Sequence, residues 1–129
     1  MPVTHRIDPQ DGVVYLTVTG DSPFEEWEGA LRRVLADASY SKGFNFLTDR
    51  RGQTDVPGPE FPRRVLRFLV EHTREMGRYR WAAVSTREAA FQTLRMFSIL
   101  AEEADIHVEP FRDYEEARRW LLGASVAED

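Results

Sequence analysis

Two rhythms alternate along the chain: apolar residues at every second position, then apolar residues at every third or fourth. The first rhythm opens it. In "HRIDPQDGVVYLTVTG" a short strand through Ile7 meets the turn residues Asp8-Pro9-Gln10-Asp11-Gly12, and a β-rich run over 13–19 follows, which predicts a hairpin. Val14, Leu16 and Val18 share one face of that run, and Val13, Tyr15 and Thr17 share the other, so burial on both sides is expected. Ser22-Pro23-Phe24-Glu25 then has the form of a capping box with proline in the first turn. Phe24, Trp27, Leu31, Val34, Leu35 and Ala38 follow at helical spacing, with Glu28 and Arg32 placed outside as an i,i+4 ion pair. "SYSKG" ends this helix, and residues 44–49 read as the next strand.

The alternation continues. A helix is predicted over 59–76 with Phe61, Val65, Phe68, Leu69, His72 and Met76 facing inward, and "RWAAVS" is a short strand. Ser85-Thr86-Arg87-Glu88 repeats the capping-box pattern ahead of a helix that reaches about residue 104. "DIHVEPF" is the last strand. Asp113-Tyr114-Glu115-Glu116 caps the last helix, which buries Tyr114, Ala117, Trp120 and Leu121, stops at Gly123 and leaves "ASVAED" as a frayed tail. The order is ββαβαβαβα. It predicts an α/β fold with a mixed, mainly parallel sheet of four to five strands, four crossover helices and an antiparallel edge from the opening hairpin. One domain is expected over 1–129, with an ordered core of about 5–123.

One stretch breaks the rhythm. "NFLTDRRGQTDVPGPEFPRR" begins as an apolar strand and turns at once to aspartates, arginines, glycines and prolines. In an open parallel sheet, ligands meet the carboxyl ends of the strands. Three helices carry a cap signal and the helix after Asp49 does not, so its first amides must find partners in the loop, in water or in a bound group. Asp49, Arg50, Arg51 and Asp55 are therefore the candidate binding residues of a loop at the sheet's rim. The plain structural alternative is that Asp49 accepts bonds from loop amides and the arginines are simply solvated.

The helix before residue 104 supplies a second candidate. Ala90, Leu94, Phe97 and Ala101 form the expected stripe, but Phe91, Met96, Ile99 and Leu100 widen it far beyond one face. Such a helix is either covered by its neighbours or offers a contact, and Phe91, Met96 and Phe97 are candidates to line a homodimer interface or a pocket for an apolar ligand.

Recognised chemistry is sparse. His5, His72 and His107 are scattered and lie in no ligand spacing, so no metal site is expected. His72 reads as a core-edge histidine with one hydrogen bond. No nucleophile elbow, dinucleotide fingerprint or phosphate loop occurs, no cofactor is expected, and no catalytic residue is assigned. Ser85-Thr86-Arg87 would suit an anion at a helix start, but capping explains the same residues. Glu102, Glu103 and Asp105 read as solvated surface.

Composition adds limits. The 129 residues include no cysteine, so there is no disulfide framework, which fits a cytoplasmic setting. No apolar run spans a bilayer, and "MPVTHRIDP" lacks the apolar core of an export signal. The net charge of −5 argues against nucleic acid as a partner. The charge is unevenly spread: residues 42–95 hold 11 of the 17 Lys and Arg but 6 of the 22 Asp and Glu.

The element order, "FNFLTD" followed by "RRGQTD", and the closing "VEPFRDYEEARRWLLG" resemble the STAS or SpoIIAA-like fold over about residues 5–123. In particular they are similar to small stand-alone bacterial STAS/CRAL-TRIO-like proteins. The resemblance implies a non-enzymatic binding or regulatory module that engages a protein partner or a small ligand through the loop after the third strand. The alternative it leaves open is an apolar-ligand or lipid-binding protein with a pocket between the Phe91–Leu100 helix and the sheet. Anti-sigma-factor antagonists of this fold carry a phosphorylatable Ser or Thr near the start of the following helix. Here Val56-Pro57-Gly58-Pro59-Glu60 has no hydroxyl, so that switch is not carried over.

Overall fold

A computed structural model describes the backbone of residues 3–127 and the side chains through Gly123. Strands β1 (Val3–Asp8) and β2 (Val13–Gly20) pair antiparallel, with Val3 opposite Val18 and Asp8 opposite Val13. Gly12 closes the turn at φ 68°, and the Asp8 carboxylate accepts bonds from the Gln10 and Asp11 amides. β3 (Asn45–Gln53), β4 (Arg80–Val84) and β5 (His107–Phe111) each add parallel to the strand before them, so spatial order follows chain order.

Successive crossovers of one hand in one direction stack their helices on one face. Residues of α1 (Phe24–Ala36), α2 (Glu60–Glu71) and α4 (Glu88–Glu103) accordingly share a core with Val14, Leu16, Val18 and Phe46. At its centre Phe46 stacks on Trp81 at 4.3 Å, and Trp27 lies 6.2 Å from Trp81 and edge-on to Phe68 at 5.3 Å. The opposite face is covered by α5 (Tyr114–Ala127), where Ala117 and Leu121 pack on Val13, Tyr15, Leu47, Ala82 and Val84. The predicted split of β2 between two faces is thus observed, with Thr17 and Thr19 exposed.

Four expectations need correction. First, the helix predicted over 59–76 is two. His72 leaves helical geometry at φ −109°, its ring stacks on Phe68 at 3.9 Å, its Nδ1 hydrogen-bonds to Phe68 O at 2.7 Å, and a short α3 (Thr73–Met76) follows. Second, α5 is a terminal helix rather than a crossover, and it runs through Gly123 to Ala127; the end of the expected tail lies outside the described residues.

Third, neither serine capping box forms. Pro23 and Arg87 occupy the cap positions of α1 and α4, and the buried Ser22 and Ser85 hydroxyls have no hydrogen-bond partner. Both serines are held too early in the chain: the Ser85 amide is still bound to Phe111 O, and the Ser22 amide donates to Asp55. Asp113 does cap, accepting from the Glu116 amide at 2.9 Å.

Fourth, the segment after Asp49 is not a free loop. β2 extends to Gly20 and offers an edge along which β3 continues, with Thr19 opposite Gly52 and Gly20 opposite Gln53. A bulge at Thr17–Thr19 absorbs the extra residue of β3. Gly52 permits the approach, since a Cβ there would meet Thr19 Cγ2 at 3.1 Å.

Candidate functional site

Because β3 continues past Asp49, strand alternation decides where its charges go. Phe46, Thr48 and Arg50 point to the face of α1, α2 and α4, whereas Leu47, Asp49 and Arg51 point to the face of α5. Asp49 and Arg51 satisfy each other: Arg51 Nε and Nη2 donate to the two carboxylate oxygens at 2.9 and 2.8 Å, and the Arg51 amide adds a third bond. Burial opposes the charge on Asp49, but these bonds and the nearby guanidinium outweigh it and hold the carboxyl below its ordinary value. Arg51 also lies 5.0 Å over the Tyr114 ring. These two candidates are paired with each other, Asp49 half-buried and Arg51 still exposed.

Arg50 goes the other way. Its side chain, expected to be solvated, is buried with 8% of the residue exposed. Burial pulls its pKa down to about 10, against the favourable charge of Asp55, so it stays protonated at neutral pH. Its one hydrogen bond among the described residues runs from Nη1 to Gln53 Oε1 at 3.1 Å, and no carboxylate lies in ion-pair contact with it. Gln53 Nε2 in turn donates to Asp55 Oδ1 at 3.0 Å, and that oxygen also accepts from the Ser22 amide. Asp55 therefore ties the segment before α2 to the start of α1 and is linked to Arg50 only through Gln53. Thr54 is fixed as well, its hydroxyl donating to Asp21 at 2.7 Å.

Arg50 lines a cleft of about 60 Å³. The floor is the sheet, with Thr48 of β3 beside Trp81 and Ala83 of β4. One wall is α2 through Phe61, Val65 and Leu69, and the other is α4 through Ala90, Leu94 and Phe97. Gln53 and Pro57 stand at the Arg50 end. Trp81 Nε1 donates to Thr48 Oγ1 at 2.8 Å, which leaves the threonine's own proton for another acceptor. The space is mostly apolar, with Arg50, Gln53, Thr48 and Thr93 as its polar lining residues, a composition common in small-molecule sites.

The candidates on α4 separate. Phe97 is buried and lines this cleft. Phe91 is buried beneath the Arg112 guanidinium, 3.9 Å from its ring, and Arg112 is held by Glu88. Met96 points outward at 68% exposure, together with Ile99 at 62% and Leu100 at 39%. The sequence reading placed Phe61, Val65, Leu69 and Leu94 in inward stripes without assigning them a site, and Thr48, Gln53 and Trp81 drew no notice. Extending the period-two pattern of β3 past Asp49 was the available signal for Arg50; Gln53, three residues on, reaches the same cleft because the bulge shifts the phase, which the pattern does not encode.

Among the described residues no group of three or more His, Cys, Asp or Glu side chains is placed to hold a metal ion. No helix there is long and apolar enough to cross a membrane.

A five-stranded mixed sheet with α1, α2, α3 and α4 on one face and α5 on the other defines a SpoIIAA-like α/β fold. Its fold matches the crystal structure of an uncharacterized protein of the DUF3478 family, with a SpoIIAA-like fold, from Shewanella loihica PV-4. The TM-score is 0.61 at 17% sequence identity, over 92% of this chain and 91% of that one. No protein-family model matches the chain, and no curated protein does.

Proposed function

We propose that this domain is a non-enzymatic module that binds a small, largely apolar ligand between α2, α4 and the sheet. The observation behind this reading is the cleft itself: an apolar space of about 60 Å³ bordered by a buried arginine. That volume exceeds the roughly 10–15 Å³ needed for one water several times over, but falls short of the roughly 300 Å³ of a drug-sized pocket. It suits a short chain or a single ring, with further room if α2 and α4 part.

The reading is tested with 1-hexanol as a neutral probe. Titration followed by amide NMR is expected to shift resonances of α2, α4 and the second half of β3 in a saturable way. Ala83→Leu, which extends a side chain from the floor into the cleft, should abolish the response while the protein remains folded. Unsaturable shifts, or shifts unaffected by Ala83→Leu, would refute the pocket.

A second reading, contact with another protein, is favoured by a different observation. Met96, Ile99 and Leu100 share one outward face of α4 and are all exposed. A bacterial regulatory domain acting through a partner, or as a homodimer, would use this strip rather than the Asp49–Arg51 pair.

A further inference from the structure

We propose that the ligand of this cleft is a monocarboxylate, its apolar tail among the aromatic and aliphatic walls and its carboxylate paired with Arg50. This rests on the pocket reading above and adds the chemical class of the occupant.

The argument starts from an imbalance. A guanidinium removed from water loses strong hydration, and folded proteins offset this with a carboxylate in contact or with hydrogen bonds to most of its donors. Arg50 has neither. Among the described residues its only hydrogen-bond acceptor is the neutral amide oxygen of Gln53, and Asp55 acts on it through space with Gln53 in between. A guanidinium offers five N–H donors in a planar fork, and this one borders an empty space. A carboxylate matches that fork with two parallel bonds. The Thr48 hydroxyl proton, left over once its oxygen accepts from Trp81, lies on the same floor as a further donor.

The charge is set by what surrounds the cleft. Among the described residues Arg50 is the one cationic side chain lining it. Arg87, which is exposed and does not line the cleft, donates through Nη1 to Gln53 O at 3.0 Å. Asp55 supplies a compensating negative charge on the far side of Gln53. A dianion would face a single cation with a carboxylate behind it, so a single negative charge fits. Phe61, Val65, Leu94 and Phe97 offer only carbon, and the Thr93 hydroxyl is hydrogen-bonded to Ala89 O of its own helix.

The test compares three six-carbon probes that differ only in the head group: hexanoate, 1-hexanol and hexylammonium. Binding to the wild-type protein is measured by NMR titration at neutral pH. Hexanoate is expected to bind about tenfold or more tightly than hexanol, the scale of a charge-assisted hydrogen bond, and hexylammonium not at all. Arg50→Met should bring hexanoate down to the affinity of hexanol or below while leaving hexanol binding intact. This variant is expected to fold, because an apolar chain of similar length replaces a buried charge whose contacts are the Gln53 amide oxygen and the face of Phe61, with no carboxylate against it. Should it not fold, the wild-type series alone decides. Equal affinity for hexanoate and hexanol overturns the carboxylate assignment and leaves the pocket standing. A preference for hexanoate that survives Arg50→Met also overturns it, and binding of none of the three removes the pocket as well.

Discussion

Asp49 and Arg50 are adjacent, yet the pleat of β3 gives them opposite fates. Asp49 meets its cation within the same strand, two residues on, and its carboxyl titrates below the ordinary value because the protonated form would lose the bonds from Arg51. A carboxyl whose folded pKa lies below its unfolded value of about 3.9 stabilises the protein above that pH, and the contribution disappears as pH falls through the folded pKa. Asp49→Asn is therefore expected to lower the melting temperature at pH 7, with the gap to wild type closing as the acid range is entered. Thermal scans from pH 7 to pH 2 check this, and a gap that stays constant would show that the pair contributes nothing through charge. Arg50 has no such partner in its strand, and this difference makes it the residue of interest.

Helix starts give the same lesson at the next level. The sequence offers three N-terminal caps of similar appearance, and only Asp113 is used. Asp113→Ala should cost about 1 kcal/mol, the usual worth of an N-cap. Ser22→Ala and Ser85→Ala should be neutral or stabilising, because each removes a buried hydroxyl that has no partner. Chemical denaturation of the three variants separates the cases; comparable losses for all three would mean that the serine hydroxyls find partners in solution. The capping-box spacing was legible, but the point at which the β-ladder releases the chain was not. Ser85 is still bonded to Phe111 when the motif expects it to begin a helix. The same cause hid the length of β3. A run of charges resembles an exit from the sheet, yet Phe46, Thr48 and Arg50 against Leu47, Asp49 and Arg51 keep the two-residue period that a strand requires. The inward stripes of α1, α2 and α4 were readable, whereas the gap between α2 and α4 depends on how far apart two helices sit. No single segment encodes that distance.

The architecture of the chain was largely readable, because its hairpin and its alternation of strand and helix leave few topologies open. Its surface was less so. The wide apolar girth of α4 was visible, but only the packed fold tells Phe91 and Phe97, which are covered, from Met96, Ile99 and Leu100, which are not. If the second reading holds and the partner is another copy of this chain, Met96→Lys should convert a dimer to a monomer in analytical ultracentrifugation with no loss of melting temperature. A wild-type protein that sediments as a monomer at all accessible concentrations would exclude the homodimer.

Spatial order that copies chain order also bears on assembly. Each new strand finds its neighbour already made, so the sheet can grow edgewise while the polypeptide is being synthesised. Its second side has no such provision: Leu47, Ala82 and Val84 wait for α5, which follows all five strands. A nascent molecule would therefore hold a finished sheet with one greasy side bare, and for that interval it would depend on chaperones or on speed. Docking of α5 is what closes that side of the sheet.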